Sequence, residues 1–212
     1  MKSNKWLIIG LIVLIAAAAS AFYVVENLHS VGITVHTNGT SVNVKASSFL
    51  PVPSAMITEM NEKALVDIQD EDSTVSSVKA DMQAIAKEYN YNATVKIQSQ
   101  FGTDQLPMPA TVNGTSMVPT LQDGQSLILL KTDDFKVGDI VVAKHPDYGL
   151  IVKRLAAING TMVYLKSDNT KTEVVGTQTI YEDGYYQVVT IEKTPLNTWL
   201  PRENVIGVVK GY

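Results

Sequence analysis

Ser116 stands in a loop whose composition suits a nucleophilic hydroxyl. Residues 112–121 read VNGTSMVPTL, with Gly114 before the serine and Pro119 after it. Glycine permits a tight backbone turn, and proline stiffens the chain beyond it. An attacking hydroxyl needs such a rigid position, with free backbone N–H groups beside it for an oxyanion. The competing interpretation is an ordinary turn serine, because Ser, Gly and Pro all favour turns.

A serine nucleophile needs a base, and Lys153 is the candidate that the sequence offers. Residues 149–156 read GLIVKRLA, and in a strand Ile151, Lys153 and Leu155 would share one face. Burial between apolar side chains, with the charge of Arg154 nearby, is expected to lower the lysine pKa towards that of a general base. The alternative is a lysine at a strand edge that extends its amine into water.

The composition excludes several other chemistries. The 212 residues include no cysteine and three widely separated histidines, His29, His36 and His145. Disulfides, thiolate metal sites and cysteine nucleophiles are therefore excluded, and a histidine-rich metal site is not expected. The formal net charge is −4, and no basic stripe with interleaved aromatic residues is present, so nucleic acid is not an expected partner.

An apolar run near the N-terminus predicts a membrane anchor. Residues 6–25 read WLIIGLIVLIAAAASAFYVV, with Lys2 and Lys5 before them and Glu26 after them. Such a helix is long enough to cross a hydrocarbon core of about 30 Å. The flanking charges place residues 1–5 in the cytoplasm and the rest outside the cell membrane, with membrane lipid as a partner. A cleaved secretory signal, cut near residues 19–21 (ASA), is the alternative.

Residues 26–101 are predicted to form a small extracytoplasmic α/β module. Alternating segments at 32–36 and 41–45 flank Asn38-Gly39, a strong hairpin signal. Helical spacing of apolar residues follows over 54–68 and 73–89, and alternation returns over 92–100. No catalytic constellation occurs in this module. Positioning a substrate, recruiting a partner through residues 31–101 and acting as a spacer are its open roles.

The remaining part, residues 102–212, is predicted to be a mainly antiparallel β domain. Residues 101–109 (FGTDQLPMP) are interpreted as a turn-rich linker. Short runs rich in Val, Ile, Leu or Tyr then alternate with Gly, Asp, Asn and Pro, which is typical of short strands. The expected strands cover 126–130, 139–143, 150–157, 161–165, 185–191 and 204–210.

Five segments in order resemble the serine–lysine peptidases of the signal peptidase I type and their relatives, the self-cleaving SOS-repressor peptidases. The resemblance covers residues 112–212, about half of the chain. Residues 113–121 are similar to the nucleophile box and 152–155 to the general-base box. The other segments are a structural strand, a Gly-Asp-Asn-like box and a closing strand, at 137–142 (VGDIVV), 167–169 (SDN) and 205–209 (VIGVV).

The resemblance implies a signal peptidase-like antiparallel β fold and a cofactor-free acyl-enzyme mechanism. Ser116 would be the nucleophile, with its backbone N–H as one oxyanion donor, and Lys153 the general base. Asp168 would support the site by orienting Lys153, with a simple turn role as the alternative. Met117 and its apolar neighbours would face substrate or lipid, or else pack in the interior.

The chain departs from the family pattern at three places. Gly114 stands where many bacterial members carry a hydroxyl residue, so the second oxyanion donor is open. The Gly-Asp-Asn box begins with Ser167, and the Ser/Asp/Arg pattern that often follows it is missing. The α/β module is not part of the usual short signal peptidase pattern.

The expected function is a membrane-anchored serine endopeptidase that removes signal peptides from exported preproteins with small residues before the cleavage site. One alternative is a specialised peptidase that processes itself or a single surface or pilus-like client. Another is a non-enzymatic anchored surface protein. A self-cleaving repressor is disfavoured by the predicted anchor and by the lack of a DNA-binding segment.

Overall fold

A computed structural model describes residues 8–17 and 28–211 of the chain. Residues 8–17 are helical (α1). Among the described residues, none of the helices has the length and apolarity needed to cross a membrane. The predicted cytoplasmic tail, the two ends of the predicted anchor at 6–7 and 18–25, and the alternative cleavage site at 19–21 lie outside the described residues.

The chain divides into two compact units between Leu106 and Pro107. The sequence interpretation placed this boundary at residues 101/102. Strand β4 (Gly102–Thr103) pairs with strand β3 (Asn92–Ser99), and this pairing keeps the intervening residues with the first unit.

The first unit is a four-stranded sheet with two helices. Strand β1 pairs antiparallel with β2 and parallel with β3, and the sheet order is β2-β1-β3-β4. The predicted hairpin, the two helices and the third strand are therefore confirmed. Strand β3 lies between β1 and β4 and is thus an inner strand of the sheet. The remaining elements are β1 (Ser30–Thr37), β2 (Val42–Ser48), α2 (Ser54–Gln69) and α3 (Val75–Glu88).

The core of this unit follows from two periodicities. Alternate residues of β1 are buried, and residues at four-residue spacing in α2 are buried against them. Helix α3 begins with a capping box in which Thr74 and Ser77 satisfy each other's backbone N–H groups. The main core residues are Val31, Ile33, Val35, Met56, Met60, Ala64, Ile68, Val78 and Met82.

The second unit contains a seven-stranded sheet and a separate hairpin. The sheet order is β12-β9-β8-β7-β13-β6-β5, and its neighbouring strands from β12 to β6 pair antiparallel. The predicted mainly antiparallel β domain is thus confirmed. Its strands are β5 (Leu106–Thr111), β6 (Ser126–Lys131), β7 (Ile140–His145), β8 (Gly149–Asn159), β9 (Met162–Lys166), β10 (Glu173–Glu182), β11 (Tyr185–Lys193), β12 (Thr198–Pro201) and β13 (Val205–Gly211).

The predicted linker at 101–109 is wrong, because it contains β4 and most of β5. Strand β5 includes Pro107 and Pro109 and lies at the edge of its sheet, where a residue without an N–H is tolerated. Strands β10 and β12 were also not predicted. Strand β10 has no buried residue, so it is stabilised by its pairing with β11 and not by burial in a core.

Gly207 is required by the close approach of β13 to β6. A Cβ atom at this position would collide with the backbone carbonyl of Leu130, whereas a Cβ at Gly176 in β10 would meet open space. Because β13 is an inner strand, we expect Gly207→Ala to lower the free energy of unfolding by about 2–3 kcal/mol. Urea unfolding of the full-length chain measures this, with Gly176→Ala as the control. Equal effects of the two substitutions would contradict this packing.

Candidate active site

The structure brings Ser116 and Lys153 together. Lys153 lies in the middle of β8, an inner strand between β7 and β9, and Ser116 lies in the loop between β5 and β6. The Lys153 Nζ is 2.6 Å from the Ser116 Oγ, within hydrogen-bond distance. Two residues 37 positions apart in the sequence thus form the hydroxyl–amine pair that the sequence suggested.

Lys153 faces the interior of the second unit. Ile151, Lys153 and Leu155 are the buried positions in the alternating pattern of β8, as predicted. The Lys153 residue is only 5% exposed, and in the described part of the chain its amine forms no ion pair with a carboxylate. Burial lowers the pKa of Lys153 to about 8, because water no longer solvates the charged ammonium. The amine is thereby brought into the range of a general base.

Arg154 does not contribute to this shift as the sequence suggested. It points to the other face of β8, where its guanidinium forms a bidentate pair with Asp168. The Nε–Oδ1 and Nη2–Oδ2 distances are 2.7 and 2.6 Å. The Arg154 guanidinium is therefore directed away from the lysine amine, and burial is the cause of the lowered lysine pKa.

Asp168 does not form the expected contact with Lys153. Besides Arg154, its carboxylate accepts a hydrogen bond of 2.6 Å from the Thr120 hydroxyl in the nucleophile loop. The hydrogen bond from Arg154, and then that from Thr120, hold the pKa of Asp168 below its usual value against the opposing effect of burial. Asp168 thus ties the base strand to the nucleophile loop through Arg154 and Thr120.

Asn169 holds the backbone at Ser116, a role that the sequence interpretation missed. Its backbone N–H donates to the Ser116 carbonyl at 3.0 Å, and its Nδ2 donates to the Thr115 carbonyl at 3.1 Å. The preceding Ser167 is buried, and its hydroxyl donates to the Leu196 carbonyl at 2.8 Å. The SDN box therefore positions the loop, and its resemblance to the family's box was the available signal.

One backbone N–H beside the Ser116 hydroxyl can serve as an oxyanion donor. In the structure's described residues, the Ser116 N–H has no hydrogen-bond acceptor, so it is available to a substrate oxygen. Gly114 has a φ of +96°, which favours glycine, and its N–H donates to Asp123 Oδ1 at 2.7 Å. The Gly114 N–H is therefore already occupied and does not supply the second oxyanion donor.

Met117 does not face substrate or lipid. Its side chain is fully buried in a small cluster beneath the nucleophile loop, so the alternative of interior packing is correct. Because Met117 follows Ser116 directly, its packing in this cluster holds the chain next to the serine and helps to keep the loop rigid. Its other buried members are Val112, Leu121, Leu127 and Ile140.

Ser116 and Lys153 line a cleft of about 750 Å³. Apolar residues from β5 and β8, including Met108, Ala110 and Leu150, form part of its wall. The lining also includes polar side chains such as Asn113, Thr115 and Asn169, and a cleft of this size is typical of a ligand-binding site. The cleft therefore offers room for an extended polypeptide beside the hydroxyl–amine pair.

Two comparisons with known proteins bear on the family of this chain. The sequence matches the Peptidase S24-like family over residues 73–184, just over half of the chain. It is also similar to signal peptidase I of Bacillus licheniformis, with 43% identity over 65 residues. That similarity covers 28% of this chain and 35% of the Bacillus protein, so the chain spans about a third of the relative's length.

The region matched to the family contains Ser116, Lys153 and Asp168. The similarity to signal peptidase I is a second finding that supports the superfamily of S24 and signal peptidase I-type peptidases. Because the family match extends over more than half of the residues in the chain, the chain belongs to the Peptidase S24-like family.

Proposed function

We propose that this protein is a membrane-anchored endopeptidase that removes signal peptides from exported preproteins, with Ser116 as nucleophile and Lys153 as general base. The observation that carries the proposal is the 2.6 Å distance between Ser116 Oγ and the buried Lys153 Nζ. This geometry is expected for a nucleophile and its base. It argues against the alternative of a non-enzymatic surface protein, which has no need for a lysine amine buried against a serine.

In the acylation step, neutral Lys153 accepts the proton of the Ser116 hydroxyl as Oγ attacks the carbonyl carbon of the scissile peptide bond. The Ser116 N–H stabilises the negative charge that develops on the carbonyl oxygen. As the tetrahedral intermediate collapses, the C–N bond breaks and the Lys153 ammonium gives its proton to the leaving amine. The N-terminal part of the substrate stays bound to Ser116 as an ester.

In the deacylation step, Lys153 is neutral again and takes a proton from a water molecule. The resulting hydroxide attacks the ester carbonyl, and the Lys153 proton returns to Ser116 Oγ as the ester bond breaks. The lowered pKa of about 8 matters in both steps, because roughly one tenth of the amine is then neutral at pH 7. An exposed lysine would be almost entirely protonated at that pH.

The substrate and the location of the reaction are inferred from the apolar cleft, the resemblance and the N-terminal segment. The resemblance to signal peptidase I supports a polypeptide with small residues before the scissile bond. The apolar residues 6–25, preceded by Lys2 and Lys5, support a single-pass anchor with the catalytic domain outside the membrane.

The alternative of a specialised peptidase that processes a single client is favoured by the first unit, which has a hydrophobic core of its own. A separately folded module over residues 31–101 suits the recruitment of one client or partner. The peptidase chemistry at Ser116 is the same in both versions.

The proposed roles are tested by Ser116→Ala and Lys153→Ala in detergent-solubilised full-length protein. Each substitution removes a reacting group, so we expect cleavage of a preprotein after a small-x-small sequence to fall at least about 10³-fold. The controls are Ser126→Ala and Lys136→Ala, which change exposed residues of the same types. Full activity of either the Ser116 or the Lys153 variant would refute the proposed function.

Asp168 is predicted to position the nucleophile loop without setting the protonation of Lys153. We expect Asp168→Ala to lower kcat/KM about tenfold or more, because Thr120 and Arg154 lose their shared partner. The pH midpoint of kcat/KM should stay unchanged, since Asp168 does not contact the lysine amine. Asp134→Ala, at an exposed loop position, is the control. A midpoint shift above about half a pH unit would instead assign Asp168 to the tuning of Lys153.

A further inference from the structure

The hairpin formed by β10 and β11 differs from the rest of the second unit because it has no core. It is a two-stranded sheet closed by the turn Asp183-Gly184, where both residues have positive φ. None of its strand residues is buried. An isolated two-stranded sheet is only marginally stable in water, so an exposed hairpin of this length is suited to contact something outside the chain.

One face of the hairpin is uncharged and aromatic. Directly opposed residues of an antiparallel pair share a face, and the pairs Tyr181–Tyr186, Thr179–Val188 and Thr177–Thr190 define what we call the tyrosine face. The Tyr181 and Tyr186 rings lie 4.9 Å apart. These two tyrosines and Val188 are 65%, 80% and 70% exposed. The opposite face carries a charged residue and two amides, Glu182, Gln178 and Gln187, together with apolar residues such as Tyr185 and Val189, so the tyrosine face differs from it in having no charge.

The hairpin begins at the catalytic cleft. Glu173 and Lys193 are paired at its base, and both line the cleft that contains Ser116 and Lys153. From Glu173 to Tyr181 the strand rises about 26 Å at 3.3 Å per residue. A chain that leaves the cleft along the hairpin therefore meets a surface long enough for about eight extended residues, with one β-bulge between Val174 and Gly176 near its base.

We propose that this hairpin is an exosite whose tyrosine face holds an extended segment of the polypeptide substrate outside the cleft. The inference rests on the proposed function and adds a second contact area to it. Within the described residues both outer strand edges are unpaired, so their backbone groups are available to an added strand. Tyrosine and valine provide apolar contact with little sequence specificity.

A lipid surface is a poorer fit to the same hairpin. Glu182 and Asp183 lie at its turn, where negative charge opposes contact with an anionic bilayer. The continuity between the hairpin base and the cleft favours the molecule that occupies the cleft, which is the substrate chain.

The exosite is tested by comparing two substrates with the same cleavage site. One is a short fluorogenic peptide confined to the cleft, and the other is a polypeptide with long unstructured flanks. We expect Tyr186→Ser/Val188→Ser to lower kcat/KM for the long substrate about tenfold through KM, as loss of two interface side chains does. The short peptide should be cleaved within about twofold of the wild-type rate, since the hairpin tip lies beyond it.

The matched control is Tyr185→Ser/Val189→Ser, which makes the same two changes on the opposite face. We expect it to leave both substrates within about twofold of wild type. Equal losses for the two double variants, or equal losses for the two substrates, would overturn the exosite. So would an effect of the tyrosine-face variant that appears only with anionic vesicles, or one that follows a change from dimer to monomer in sedimentation.

The wild-type enzyme with the short peptide separates this inference from the proposed function. If the wild type cleaves neither substrate, the proposed peptidase activity has failed. If the wild type cleaves both and Tyr186→Ser/Val188→Ser has no effect on the long one, the peptidase stands and the exosite is wrong.

Discussion

The burial of the Lys153 amine is the constraint on which the site depends. An ammonium group with no carboxylate partner is costly in an apolar interior, and here the amine has the Ser116 hydroxyl as its hydrogen-bond partner. A pKa lowered from 10.5 to about 8 corresponds to a free-energy difference of roughly 3 kcal/mol, by which the fold disfavours the charged ammonium relative to the neutral amine. The protein thus gives up some stability near neutral pH, and it gains an amine that is able to accept a proton.

The surrounding structure keeps this amine apart from opposing charges. The alternation of β8 places Lys153 inside and Arg154 outside, so that Asp168 pairs with the arginine and not with the catalytic lysine. A carboxylate beside Lys153 would favour the ammonium and raise its pKa. The same Asp168, together with Asn169, holds the loop that carries Ser116. These two residues thus connect β8 to that loop, and no carboxylate among the described residues pairs with the Lys153 amine.

The sequence was informative where local patterns decide the structure. The period of two in β8 placed Lys153 on the face of Ile151 and Leu155 but left open a lysine at a strand edge, and helical spacing placed the buried methionines of α2. The sequence was uninformative where contacts between residues far apart in the chain determine the structure. Asp168 had two candidate roles because its partner Arg154 is defined only by strand pairing, and Met117 lies in a loop without periodicity. Strands β5 and β10 were missed because an edge position and a cross-strand partner stabilise them.

The ionisation of Lys153 in the folded enzyme is the quantity that tests this account most directly. It can be measured by a pH titration of the ζ-carbon resonance in full-length protein labelled with ¹³C-lysine, with Lys153→Met used to assign the signal. Because burial favours the neutral amine, we expect the Lys153 signal to titrate near pH 8, well below the usual range of a lysine amine in water. A Lys153 signal that titrates together with the exposed lysines would contradict the claim that the fold produces a neutral base beside Ser116.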